Sequence, residues 1–256
     1  MKLFCKAAVG GLLWLTFSTV AFGDTLIFTG YPENVDDGGQ FTAYLTSNPS
    51  QTLLLYCVDY PNEETSGDAV NISTPNPSVS PFEGLANTRY GQTPTADFSF
   101  YNSGTGSLAS GTAPLTAFQR YVLAAWLTTQ YQFPVSSATM TADDQIQNAI
   151  WTMLTVSGTA GFPFADAAGP GNYITKAEQW LGSESAGNLA TFESEVRVYT
   201  STNVVPYTGA TSGPGSSWLS GSQEMIGLSS SAPEPATLAL LGMGLLGIGL
   251  ARKKAK

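Results

Sequence analysis

The chain has 256 residues, no histidine, and a formal net charge of −9 from 10 basic and 19 acidic side chains. An acidic surface repels nucleic-acid phosphates and anionic lipid, which argues against nucleic acid as a partner. Without histidine the usual general base, the Ser–His and Cys–His pairs and histidine metal sites are all absent, so no cofactor and no ordinary enzyme chemistry is expected.

Residues 1–23 read as a signal peptide. Lys2 and Lys6 accompany an apolar stretch from Ala7 to Phe22, and Ala21-Phe22-Gly23 offers small residues at the positions a signal peptidase reads. Cleavage after Gly23 would start the mature chain at Asp24. Leu26–Phe28 and Phe41–Leu45 then read as short strands, and Thr52–Asp59, with Leu53, Leu54, Leu55, Tyr56 and Val58, is the strongest strand candidate. Tyr60–Pro114 is dense in Pro, Gly, Ser, Thr and Asn and reads as loops joining a few strands, one near Phe98–Phe100.

Helical spacing follows. Leu115–Tyr131 puts Leu115, Phe118, Tyr121, Val122, Ala125 and Trp126 close to one face. In Thr141–Val156, Thr141 suits an N-cap, Asp143 and Asp144 suit a first turn, and Ile146, Ala149, Ile150, Met153 and Leu154 form an apolar stripe. Tyr173–Leu181 is a shorter helix. Val196–Tyr199, Asn203–Val205 and Ser222–Leu228 return to strand character. Strands, then helices, then strands predict an α+β fold for residues 24–228, a β-sandwich or barrel-like sheet with an inserted block of helices.

The tail differs in kind. A linker, 229–235, contains Pro233-Glu234-Pro235, and an apolar run of sixteen residues, 236–251, precedes Arg252-Lys253-Lys254-Ala255-Lys256. As a helix the run would span about 24 Å, short of a full bilayer core, and the basic tip could snorkel to close the gap. The excess of Lys and Arg predicts a single transmembrane helix with a cytoplasmic tip at 252–256. Pro233 and Pro235 keep the motif extended outside the bilayer.

Pro233, Glu234, Pro235, the apolar run and Arg252, Lys253 and Lys254 together resemble the PEP-CTERM sorting signal of Gram-negative bacteria. The resemblance implies export, a transient inner-membrane anchor, processing by an exosortase, and delivery to the outer surface or beyond. Setting both ends aside leaves Arg89, Arg120, Lys176 and Arg197 against all nineteen acids in 24–235, a net of −15.

Cys5 leaves with the signal peptide, so Cys57 is the one mature cysteine and has no internal disulfide partner. Tyr56-Cys57-Val58 and the downstream Ile146-Gln147-Asn148-Ala149-Ile150-Trp151 together resemble the thioester domains of bacterial surface adhesins. The resemblance implies that the Cys57 thiolate attacks the Gln147 amide and expels ammonia, with Tyr56, Trp126 and Trp151 excluding water. A surface amine or hydroxyl, on protein or polysaccharide, would then take the acyl group in one covalent adhesion event without turnover. The alternative is a plainly buried thiol in a structural or polysaccharide-binding protein of an extracellular matrix or biofilm, with Tyr101, Trp180 and Trp218 as sugar platforms.

Adjacent carboxylates at Asp36-Asp37, Glu63-Glu64 and Asp143-Asp144 point to different sides of their backbone and form no ready acid/base pair.

Overall fold

A computed structural model describes residues 24–30, 39–58, 66–92, 99–102, 107–110, 114–132, 137–154, 173–203 and 222–229. Strand β1 (Asp24–Gly30) begins at the first residue of the expected mature chain. It pairs antiparallel with β2 (Gln40–Leu45), which pairs with β3 (Asn48–Cys57). The carboxylate of Asp24 accepts from the Thr46 hydroxyl at 2.9 Å and the Ser47 amide at 3.1 Å, fastening the start of β1 to the β2–β3 turn.

Strand β4 (Asp68–Ser73) pairs with the other edge of β1. Two late strands, β7 (Val196–Ser201) and β8 (Met225–Leu228), complete the ring. The order β1-β2-β3-β8-β7-β4 is a closed antiparallel barrel, which leaves no unpaired sheet edge. Of the two architectures expected, the barrel is the one formed, and the fold is α+β.

Among the described residues between β4 and β7 are a small hairpin, β5 (Ser99–Asn102) with β6 (Ser107–Ser110), and four α-helices. Helix α1 (Ala117–Thr128) starts on a capping box: Thr116 accepts from the Gln119 amide while Gln119 Oε1 accepts from the Thr116 amide. Helix α2 (Ser137–Leu154) starts one turn earlier than the expected Thr141, so Thr141, Asp143 and Asp144 lie within it. Asp143 Oδ1 instead accepts from the Gln132 amide at 3.0 Å, tying the helix to the segment after α1. Helix α3 (Tyr173–Ser183) matches its expected start, and α4 (Ala186–Glu195) was not anticipated.

Two buried clusters follow from strand parity. Leu26, Phe41, Ala43, Leu53, Leu55, Cys57, Val70, Tyr199 and Met225 form the barrel cluster, and Trp151 of α2 joins it. Tyr56, Val196, Val198 and Ile226, the alternate residues on the same strands, pack with α1, α2 and α3 in the second cluster. The wall made by the Cys57 end of β3 with β8 and β7 is thus largely buried on both faces. Each fully buried Leu, Ile or Val there contributes about 1.5–3 kcal/mol.

Of the few strands expected in the Tyr60–Pro114 stretch, β5 lies near the expected Phe98–Phe100, while the sequence located neither β4, where Val70 is buried and Ile72 exposed, nor β6. Asn203 lies in a turn after β7, not in a strand, and 204–205 fall outside the described residues. The signal peptide, the linker beyond Ser229 with its Pro233-Glu234-Pro235, the expected membrane helix 236–251 and the basic tip also lie outside them. Among the described residues, no helix is long and apolar enough to cross a membrane.

Candidate functional site

Strand β3 ends at Cys57, whose Cα pairs with Met225 of β8, and the next amide, Val58 N–H, donates to the Glu224 carbonyl at 3.0 Å. Cys57 is therefore fixed in the wall between the barrel interior and the helices. It is wholly buried and in no disulfide.

Helix α2 runs past this point and brings Gln147 and Trp151, one helical turn apart on the same face, to the cysteine. Both are buried. Gln147 Nε2 donates to the Cys57 carbonyl oxygen at 2.7 Å. Trp151 Nε1 donates to Cys57 Sγ at 3.2 Å. The structure thus brings together two segments ninety residues apart in sequence, Gln147 reaching the Cys57 main chain and Trp151 its sulfur.

The other end of the Gln147 amide is held as firmly. Its Oε1 accepts from the Gly39 amide at 3.0 Å and from the Tyr131 hydroxyl at 2.8 Å. Gly39 has φ 99°, a left-handed value at which a side chain would be strained, and it directs its N–H inward just before β2. Tyr131, on the turn after α1, packs its ring 4.7 Å from that of Tyr56. The Tyr56 hydroxyl accepts from Gln40 Nε2 at 2.8 Å, and Gln40 pairs with Tyr56 across β2 and β3.

Tyr56 and Trp151 are both buried at this junction. Trp126 makes its ring contact elsewhere. It is half-buried and stacks on Trp180 of α3 at 5.4 Å, and Phe192 of α4 meets the Trp180 ring edge-on at 5.1 Å. Trp180 is therefore part of an aromatic stack and not an isolated platform. The side chain of Tyr101, and Trp218 altogether, lie outside what is described.

Gly39 and Tyr131 are the site residues that sequence reasoning missed. A backbone N–H carries no residue-type signature. Tyr131 lies at the end of the expected helix Leu115–Tyr131, and its hydroxyl meets Gln147 only in the folded structure. The Gly38-Gly39 pair before a strand was the one available signal.

A second buried polar group lies along the same wall. Glu224, just before β8, accepts from the Arg89 amide at 2.7 Å, the Thr200 hydroxyl at 2.5 Å and the Tyr121 hydroxyl. Burial, then the charge of Glu224, pushes the Tyr121 phenol well above its ordinary value, so it stays protonated and donates. This network links α1, β7 and β8 and braces the strand that pairs with Cys57. Among the described residues, no group of three or more Cys, Asp or Glu could hold a metal ion.

Comparison with known proteins bears on the tail. Residues 231–254 match the family model for the PEP-CTERM protein-sorting motif. The chain therefore carries an exosortase sorting signal, which marks an exported protein held by a transient membrane anchor before processing. The match stops short of the barrel and touches neither Cys57 nor Gln147. No curated protein matches the chain, and no solved structure does.

Proposed function

We propose that this exported domain is a covalent surface adhesin whose reactive group is a thioester between Cys57 and Gln147. The observation that carries this reading is the buried junction itself. The Gln147 amide is bonded to the Cys57 main chain at 2.7 Å, and the Cys57 sulfur accepts from Trp151. A thiol stabilised by an N–H donor, beside an immobilised carboxamide in a dry setting, is the arrangement that amide-to-thioester exchange needs. Tyr56 and Trp151 would shield the product from water. A surface amine or hydroxyl that reaches the acyl carbon would become attached to the former Gln147 and release the thiol. The protein would act once per molecule, as an attachment device and not as an enzyme.

In this reading a signal peptidase removes residues 1–23, residues 236–251 anchor the chain in the inner membrane, and an exosortase acts at Pro233-Glu234-Pro235. The second reading, a non-covalent matrix protein, is favoured by one fact: Cys57 shares the barrel cluster with Leu53, Leu55 and Met225, as an ordinary core thiol would.

Intact mass separates the two. The thioester form weighs one ammonia less than the sequence, methylamine adds one adduct, and Cys57→Ala abolishes both effects. A protein at full sequence mass that takes up no methylamine is the matrix protein of the second reading.

A further inference from the structure

We propose that Gly39 and Tyr131 form an oxyanion cradle for the acyl chemistry of Gln147, an inference that rests on the Cys57–Gln147 reading above. Two donors from separate elements converge on one oxygen, the Gly39 N–H at 3.0 Å and the Tyr131 O–H at 2.8 Å. The amide cannot be turned over. Gly39 N–H can only donate and the Cys57 carbonyl can only accept, so the Gln147 oxygen and nitrogen are fixed by their partners. Here both donors sit on the oxygen, where negative charge develops when a nucleophile adds to Cδ.

The step balances without a co-reactant. Cys57 Sγ adds to Gln147 Cδ, and the carbonyl π pair moves onto Oε1, where the two donors hold it. Collapse restores the carbonyl and breaks Cδ–Nε2. The thiol proton leaves with the nitrogen as ammonia, and the Sγ–Cδ bond remains. Trp151 Nε1–H, already on Sγ, stabilises the thiolate on its way in. The acyl oxygen never leaves the cradle, so the same donors serve the later attack by an amine.

Support for Tyr131 is built in. Its ring lies against Tyr56, and Tyr56 is held by Gln40, the neighbour of Gly39. The two donors are thereby braced against each other through β2 and β3.

The test uses the mature, processed protein recovered after export, with masses compared against the mature sequence. Loss of one such donor slows acyl chemistry by about 10²–10³-fold. Tyr131→Phe should therefore accumulate thioester and consume methylamine at least about 10²-fold more slowly than wild type. The thioester carbonyl stretch should also lie below that of a free alkyl thioester in wild type and rise in Tyr131→Phe. Tyr131→Phe that forms thioester and reacts at wild-type rates overturns the cradle and leaves the thioester standing. Wild type at full sequence mass overturns the thioester reading itself. Should Tyr131→Phe fail to fold, the wild-type band decides alone, and a stretch at the free-thioester position overturns the cradle.

Discussion

Single residues set the chemistry of this molecule, and they differ in how far type alone reveals them. Cys57 and Gln147 could be picked out because a thiol and a carboxamide carry reactivity in their composition. Tyr56 and Trp151 could be picked out as aromatics next to them in the two motifs. Gly39 and Tyr131 could not, since their bonds to Gln147 come from a backbone N–H and from a residue just past a turn. Charge burial is a further effect at this scale. Glu193 is buried on α4, and its carboxyl is pushed up, first by burial and then by the nearby charge of Glu83. A carboxyl whose folded pKa exceeds its unfolded value binds its proton more tightly when folded. It therefore opposes folding at neutral pH, and that opposition disappears as pH falls through the raised value. Glu193→Gln should raise the melting temperature at pH 7 by about 2 °C, with the advantage vanishing in acid. A thermal melt series across pH checks this, and an advantage that persists in acid would mean the charge is not the cause.

At the scale of elements, helices were more legible than strands. The stripes of α1, α2 and α3 repeat every three to four residues over long stretches, so their existence could be read directly. Strand β4 could not, because only Val70 of its six residues combines an apolar side chain with full burial. Helix α4 is nearly as polar as a loop, and only Leu189 and Phe192 lean on the core. The start of α2 was misplaced because Thr141 is a good cap by type, whereas the helix already runs from Ser137. Strand β8 shows what pairing demands of sequence. A Cβ on Gly227 would lie 2.6 Å from the Leu54 carbonyl oxygen and 2.9 Å from Leu55 Cδ2. Gly227→Ala would push β8 away from β3 beside the Cys57–Met225 pair. A loss of about 1–3 kcal/mol is expected in urea unfolding, typical of overpacking. A variant of unchanged stability would show that the two strands separate without cost.

Over the whole molecule, acidity and addressing dominate. Two of the four cations between Asp24 and Pro235, Arg89 and Arg120, are buried, which leaves Lys176 and Arg197 against a strongly negative surface. Such a surface keeps the delivered domain soluble and apart from anionic polymers. The sorting motif at 231–254 begins within a few residues of the fold, since Ser229 N–H still donates to the Glu195 carbonyl at 2.7 Å. Replacing Pro233, Glu234 and Pro235 with alanine should leave the protein in the inner-membrane fraction. Normal surface delivery of that variant would mean that the motif does not direct sorting. The order of strands around the barrel adds a matter of timing. The strand that flanks Cys57 is the last to be synthesised, and Glu224, which receives the Val58 amide, is nearly as late. A barrel assembled from the N-terminal strands alone therefore has an open seam beside its cysteine. The seam shuts only when the end of the domain arrives. A chain cut before β8 would lack the strand that pairs with Cys57, and its barrel would stay open at that wall.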